Sequence, residues 1–239
     1  MRIKTEPEHK ENFSQQMPVW RRGEHMQNYV ITIARGFGSG GKDIATRLGK
    51  ELGIPCYERQ ILTMASDQSG IDESVFVETD EKLRGTYLAN VLRGMPISET
   101  VEPMEKDFIS DVNVFNIQAD IIRTLAKTQS CIIIGKCADD ILRSYENVIS
   151  VYIEAPRAAC VKSIMEKMHV SQKRANYLIQ TTDRYRAKYY RYYTSGKDWT
   201  NPINYDMVLN SDRVGREKCV QIIKEYIKIK FGEIPDEKI

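Results

Sequence analysis

Apolar positions along this chain follow two alternating rhythms. Short runs read as strands: Val30, Ile31 and Ile33; Ile54 to Tyr57; Cys131-Ile132-Ile133-Ile134; Val148 to Ile153; and Val208-Leu209-Asn210. The Cys131 run is uninterrupted, as in a central parallel strand buried on both faces. Between the strands the apolar residues recur at helical spacing. The first helix is expected from about Asp43 to Leu52, closed by Gly53 as a C-cap glycine. Residues 60 to 128 read as mostly helical, with breaks near Gly70, Gly94 and Pro96 and a clear helix over about Asp111 to Lys127. Further helices are expected at about Ala138 to Ser144, Arg157 to Met168 and Val214 to Phe231. Strands alternating with helices predict an α/β fold whose parallel sheet has right-handed crossovers. Ligands of such folds sit at the carboxyl ends of the strands.

The chemistry concentrates at the first of those ends. The strand runs into Arg35-Gly36-Phe37-Gly38-Ser39-Gly40-Gly41-Lys42-Asp43-Ile44, which opens the first helix. Strand, glycine-rich turn, lysine and helix form the context of a Walker A loop. Its glycines let backbone N–H groups curl round a phosphate without Cβ clashes. The helix beginning there turns its positive dipole end to the same anion, and Lys42 reaches the outer phosphates as a point charge. The pattern departs from G-x-x-x-x-G-K-[ST] at its last position, where Asp43 replaces the hydroxyl that normally ligates nucleotide-bound Mg2+. A carboxylate also ligates Mg2+, so Asp43 is the expected metal residue, although it adds negative charge beside the phosphates. A ligand-free glycine loop is the plainer reading, and the lysine after a strand makes it the weaker one.

Composition narrows the remaining choices. With 239 residues, 41% of them hydrophobic, the chain suits one α/β domain with a mobile sub-region. A formal charge of +2 argues against bulk nucleic-acid binding. No apolar run approaches the roughly eighteen residues of a membrane helix, and no signal-peptide pattern opens the sequence. Cys56, Cys131, Cys137, Cys160 and Cys219 are scattered, which fits reduced, mostly buried thiols in a cytoplasmic protein. His9, His25 and His169 are the only histidines, so a histidine triad is nearly excluded and catalysis by positioning and charge neutralisation fits better. Residues 1–27 are polar and lack a hydrophobic period, as in a flexible extension; Trp20, Arg21 and Arg22 are its one feature suited to docking. The compact domain is expected from Met26 or just after it.

A second constellation spans residues 173–197. Lys173, Arg174, Arg184, Arg186, Lys188, Arg191 and Lys197 stand there against the single acid Asp183, with Tyr177, Tyr185, Tyr189, Tyr190, Tyr192 and Tyr193 among them. Arg184, Lys188 and Arg191 share one helical face. Three readings compete: a solvated basic helix over packed tyrosines, a stacking surface for RNA, and a lid whose arginines close over a transferring phosphoryl group. The glycine loop favours the lid. An arginine in that role is worth on the order of a thousandfold or more in rate.

With these features in hand, the chain resembles the cytidylate kinase-like family, a branch of the P-loop nucleoside monophosphate kinases. The similarity spans roughly residues 29–232. It is carried by Ile33 to Lys42, Pro55-Cys56-Tyr57-Glu58-Arg59, Ile133-Ile134-Gly135-Lys136-Cys137-Ala138-Asp139 and Ile153-Glu154-Ala155-Pro156. Asp183-Arg184-Tyr185-Arg186, Tyr192 to Trp199 and Asn204-Tyr205-Asp206 complete it. The resemblance implies a three-layer P-loop kinase fold over residues 28–239, with a helical acceptor-binding cap within 58–110 and a mobile basic lid over 170–200. It implies ATP and Mg2+ as the donor system and a nucleoside monophosphate, CMP or dCMP foremost, as acceptor. Lys42 and the loop from Gly36 to Ile44 would hold the donor phosphates. Arg35, Arg59 and Lys136 are the expected contacts of the acceptor phosphate, and Glu58 and Asp139 polar or metal contacts. Arg184, Arg186 and Arg191 are the expected lid cations. The chain departs from the family pattern at Glu58, Lys136 and Cys160, where relatives often carry Asp, Arg and Arg. Two further readings stay open: a nucleotide-binding regulator without transfer activity, and a kinase of a non-nucleotide metabolite.

Overall fold

The structure is a computed structural model that describes residues 28–69 and 112–232. Residues 1–27, with Met26 and Trp20, lie outside it. So does most of the expected cap, residues 70–110, with the breaks at Gly70, Gly94 and Pro96.

Five strands form the sheet among the described residues: β1 (Val30–Arg35), β2 (Cys56–Tyr57), β3 (Cys131–Ile134), β4 (Val148–Glu154) and β5 (Met207–Asn210). Every pairing is parallel, and the order is β2-β3-β1-β4-β5. β1 is therefore central, with β3 on one side (Val30 opposite Cys131) and β4 on the other (Val30 opposite Val148). The strand order reverses at β1, and this is where α/β sheets bind ligands.

Alternation along the strands sorts the core into two layers. Val30, Cys131 and Ile133 pack with Ile61, Leu62 and Ala65 of α2 (Gln60–Ser69) and with Ile122 and Leu125 of α3 (Val112–Thr128). Ile31, Ile33, Ile132, Ile134 and Val151 face the other way, against Ile44 and Leu48 of α1 (Gly41–Leu52) and Ile223 and Ile227 of the last long helix. Helices on both faces of one parallel sheet make the three layers. α1 stops as expected: Gly53, with φ of 63°, caps it by donating its N–H to the Gly49 carbonyl.

Three elements are shorter than their patterns predict, β2 among them, which keeps only Cys56–Tyr57 of the expected Ile54 to Tyr57. The helix after β3, α4 (Ala138–Ile141), is a single turn, followed by i→i+3 bonds from Arg143 to Asp140 and from Tyr145 to Leu142. The terminal helix, expected from Val214, starts two residues later, at Arg216, after a separate short turn. α7 (Ser211–Val214) ends at Gly215, whose φ of 86° breaks the helical path before α8 (Arg216–Phe231) begins. Between these regions, α5 (Arg157–Met168) matches its expected bounds, and the basic, tyrosine-rich segment forms one long helix, α6 (Gln172–Tyr193). Ser171 caps α6 by accepting from the Arg174 N–H at 3.3 Å.

Candidate active site

The loop from Gly36 to Lys42 leaves the carboxyl end of the central strand and turns directly into α1. Gly40, at φ 82°, makes the left-handed corner that starts the helix, and no side chain caps it. The loop satisfies part of its own backbone. Gly36 donates to the Ile153 carbonyl, Ser39 to Gly36 and Ile44 to Gly40. The Phe37 N–H is taken by the Asp183 carboxylate at 2.8 Å. Among the described residues nothing accepts from the backbone N–H groups of Gly38, Gly40, Gly41, Lys42 or Asp43. A helix N-terminus with several open N–H groups and a lysine in its first turn suits a phosphate chain. Ile44, by contrast, is buried in the core with its N–H already used.

Lys42 turns across the loop toward the end of β2. Its Nζ lies 2.6 Å from Glu58 Oε2, while Arg35 donates from Nη2 to Glu58 Oε1 at 2.9 Å. Arg35 and Glu58 are both buried; the Lys42 side chain is 66% exposed. One carboxylate thus joins the phosphate-loop lysine to the arginine that ends β1. The backbone fits closely round this arginine: a Cβ at Gly41 would stand 2.5 Å from Arg35 Cβ.

Beside Arg35 opens a cleft between the end of β3 and α6. Arg35, Lys136 and Arg186 give it positive charge, and Tyr185, Tyr189, Tyr190 and Trp199 supply aromatic wall. Its floor turns at Gly135, Lys136 and Cys137, three successive residues with φ of 72°, 60° and 54°. The left-handed conformation costs roughly 1–2 kcal/mol for each of the two non-glycine residues, and such strain clusters at functional sites. Asp139 follows, buried, and accepts from the Tyr190 hydroxyl at 2.6 Å. Burial raises its carboxyl from the ordinary 3.8 to about 6, with the Tyr190 bond working against that rise.

The structure separates the expected lid cations. Arg186 faces inward: it donates to the Arg35 carbonyl at 2.9 Å, lies 3.4 Å from Asp183 Oδ1 and stands 5.6 Å over the Phe37 ring. Arg184 and Arg191 are exposed. Arg59 is also exposed, at the start of α2, whereas Lys136 lines the cleft with Arg35 and Asp139.

Sequence reasoning assigned no site role to several residues that the fold brings here. Asp183 accepts a loop N–H, and burial raises its carboxyl above the ordinary range while Arg186 opposes that rise. Glu154, at the end of β4, accepts from the Tyr152 hydroxyl at 2.7 Å and backs Gly36, where a Cβ would meet its carboxylate at 2.3 Å. Lys167 and Arg216 reach the Asp43 carboxylate at 2.7 and 2.6 Å. Asp183 stood out in the sequence as the lone acid of a basic stretch; Lys167 and Arg216 gave no local signal. A carboxylate oxygen already shared by two cations is a poor vacancy for Mg2+, and among the described residues no cluster of three or more metal-binding side chains forms.

A central-strand phosphate loop, a parallel sheet of this order and helices on both faces define a P-loop kinase fold. The profile of the cytidylate kinase-like family matches residues 30–213, so the chain belongs to that family. Among solved structures, it is similar to an uncharacterized protein from Eubacterium ventriosum, at 24% identity over 84% of this chain and 99% of that one, with a TM-score of 0.61. It is also similar to a sugar kinase from Janibacter sp. (15% identity, 84% and 95% covered, TM-score 0.48). A shikimate kinase from Bacteroides thetaiotaomicron matches at 12% identity (84% and 98% covered, TM-score 0.46). No curated protein matches the chain. No helix among the described residues is long and apolar enough to cross a membrane.

Proposed function

We propose that this protein transfers the γ-phosphoryl group of ATP to a nucleoside monophosphate, with CMP or dCMP as the preferred acceptor. The observation that carries the reading is the Lys42–Glu58–Arg35 chain, which links the open N–H groups of the loop to the aromatic, cation-bearing cleft. Donor and acceptor sites of a phosphotransferase must adjoin in this way.

In this reading the amides of Gly38 and Gly40 to Asp43, with Lys42, hold the donor phosphates. Arg35 and Lys136 take the acceptor phosphate, and Arg59 joins them from the start of α2. The tyrosines and Trp199 flank the acceptor's base. Asp139, ionised at neutral pH, accepts from an exocyclic amine, which favours cytosine over uracil. Arg186 meets the charge that develops on the transferring group, and Arg184 and Arg191 bring long-range positive charge from exposed positions on α6. Bound Mg2+ would supply further charge neutralisation on the nucleotide. Little acid–base chemistry is required, because catalysis of this kind is positioning and electrostatics. The domain reading follows: residues 170–200 act as the lid, 58–110 as the acceptor cap and 1–27 as an extension outside the catalytic unit. A cytoplasmic setting is part of the reading, supported by five cysteines that are all free thiols.

Glu58 favours a second reading. A buried carboxylate touching the loop lysine is placed to accept a proton from an attacking alcohol, which suits a hydroxylated metabolite that carries no phosphate. A coupled ADP-release assay with ATP and Mg2+ separates the two, using a panel of nucleoside monophosphates, sugars and hydroxy acids. Turnover with CMP or dCMP above all others supports the first reading. Turnover confined to alcohols replaces it with the second, and ATP binding without any turnover points to a nucleotide-binding regulator.

A further inference from the structure

The departure from the Walker pattern at Asp43 is matched by a departure elsewhere in the fold. Asp43 sits in the first turn of α1, and its Oδ2 accepts from Arg216 Nη1 at 2.6 Å and Lys167 Nζ at 2.7 Å. One carboxylate against two cations leaves the cluster with one positive charge in excess. The negative charge that a free aspartate would set beside the phosphates is thereby cancelled. Arg216 begins α8 and also reaches Ser163 Oγ at 3.4 Å. Its side chain lies against the loop: a Cβ at Gly40 would stand 2.5 Å from Arg216 Nε. Nearby, Ser211 donates to the Ser39 carbonyl, so the segment after β5 grips the loop at two successive residues. Between loop and α5 lies a polar cleft of about 230 Å³, lined by Ser39, Lys162, Ser163, Glu166, Asp212 and Arg216.

We propose that Arg216 is a donor-binding residue, a fixed cation for the nucleoside triphosphate beside the loop, and that Asp43 is the residue that positions it instead of a magnesium ligand. This rests on the donor-nucleotide reading above. An aspartate committed to an arginine and a lysine fills the place of the Walker hydroxyl, and the arginine it holds supplies at the loop some of the positive charge that a metal ligated there would bring.

The test is the affinity of a non-hydrolysable ATP analogue, measured by calorimetry in EDTA and again in Mg2+, with thermal melting to follow the fold. Arg216→Ala and Asp43→Asn should each weaken binding about tenfold, the loss of one charge-assisted hydrogen bond, and to the same extent in both buffers. The double variant should bind no more weakly than Arg216→Ala alone, as expected for residues acting as one unit. Arg216→Lys, which keeps the charge but cannot span Asp43 and Ser163 together, should fall between wild type and Arg216→Ala, and serves if the alanine variant fails to fold. Asp43→Asn binding like wild type in EDTA and losing affinity only in Mg2+ would make Asp43 a metal ligand and overturn the proposal, as would wild-type affinity in Arg216→Ala. A wild-type protein that binds no ATP analogue would instead overturn the donor reading itself, and this inference with it.

Discussion

Glu58 holds Lys42 at 2.6 Å while its other carboxylate oxygen holds Arg35 at 2.9 Å. The loop lysine and the strand-end arginine are therefore set by one buried acid that comes from a different strand. The two partners differ in setting: the Lys42 side chain is mostly exposed and Arg35 is buried.

Glu58→Gln should weaken both stability and turnover. The change takes the Glu58 carboxylate away from the buried Arg35 guanidinium, and removing one partner of a buried pair costs about 3–5 kcal/mol. Urea unfolding reads the first effect and steady-state kinetics the second. An unchanged midpoint with unchanged kcat would show that the Lys42–Glu58–Arg35 chain has no part in holding the site.

The three arginines of α6 should not be equivalent. Arg186 touches the loop and Arg35, whereas Arg184 and Arg191 are exposed. Arg186→Ala should lower kcat by on the order of a hundredfold or more, with Arg184→Ala and Arg191→Ala each within a few-fold of wild type. Equal losses at all three positions would mean that α6 rearranges during turnover to bring its exposed arginines over the substrates.

Asp139 gives a pH signature. Burial lifts its carboxyl from 3.8 to about 6, so between those values the native protein binds the proton more tightly than the unfolded chain. Its contribution to stability is complete below the lower value and is lost as pH rises through the upper one. Asp139→Asn, neutral throughout, removes that slope. The difference in unfolding free energy between wild type and variant should change by up to roughly 3 kcal/mol across this window. Parallel stability profiles from pH 4 to 7 would show that Asp139 titrates normally.

Several contiguous features were legible in the sequence. β1, the glycine loop and α1 are contiguous, and the bounds of α5 and the C-cap at Gly53 follow from spacing and a single glycine. The parallel sheet followed from alternation alone. The short turn over Ser211–Val214 was not foreseen, because an isolated glycine such as Gly215 gives no sign that its φ will be positive. Residues that meet only through the fold were not legible. Arg216 is 173 positions from Asp43 and Lys167 is 124, and no spacing rule connects them. Half-buried and exposed arginines on α6 were likewise indistinguishable until the helix had a face against the loop.

Product formation from ATP and CMP by the wild-type protein and by Lys42→Ala, followed by mass spectrometry, decides whether the loop is the phosphoryl-donor site. The wild type should form CDP and ADP in equal amounts. The variant should fold normally, as the melting temperature of a protein altered at an exposed side chain would confirm, and form at most traces of product. Equal CDP formation by both proteins would contradict the assignment of the loop as the phosphoryl-donor site.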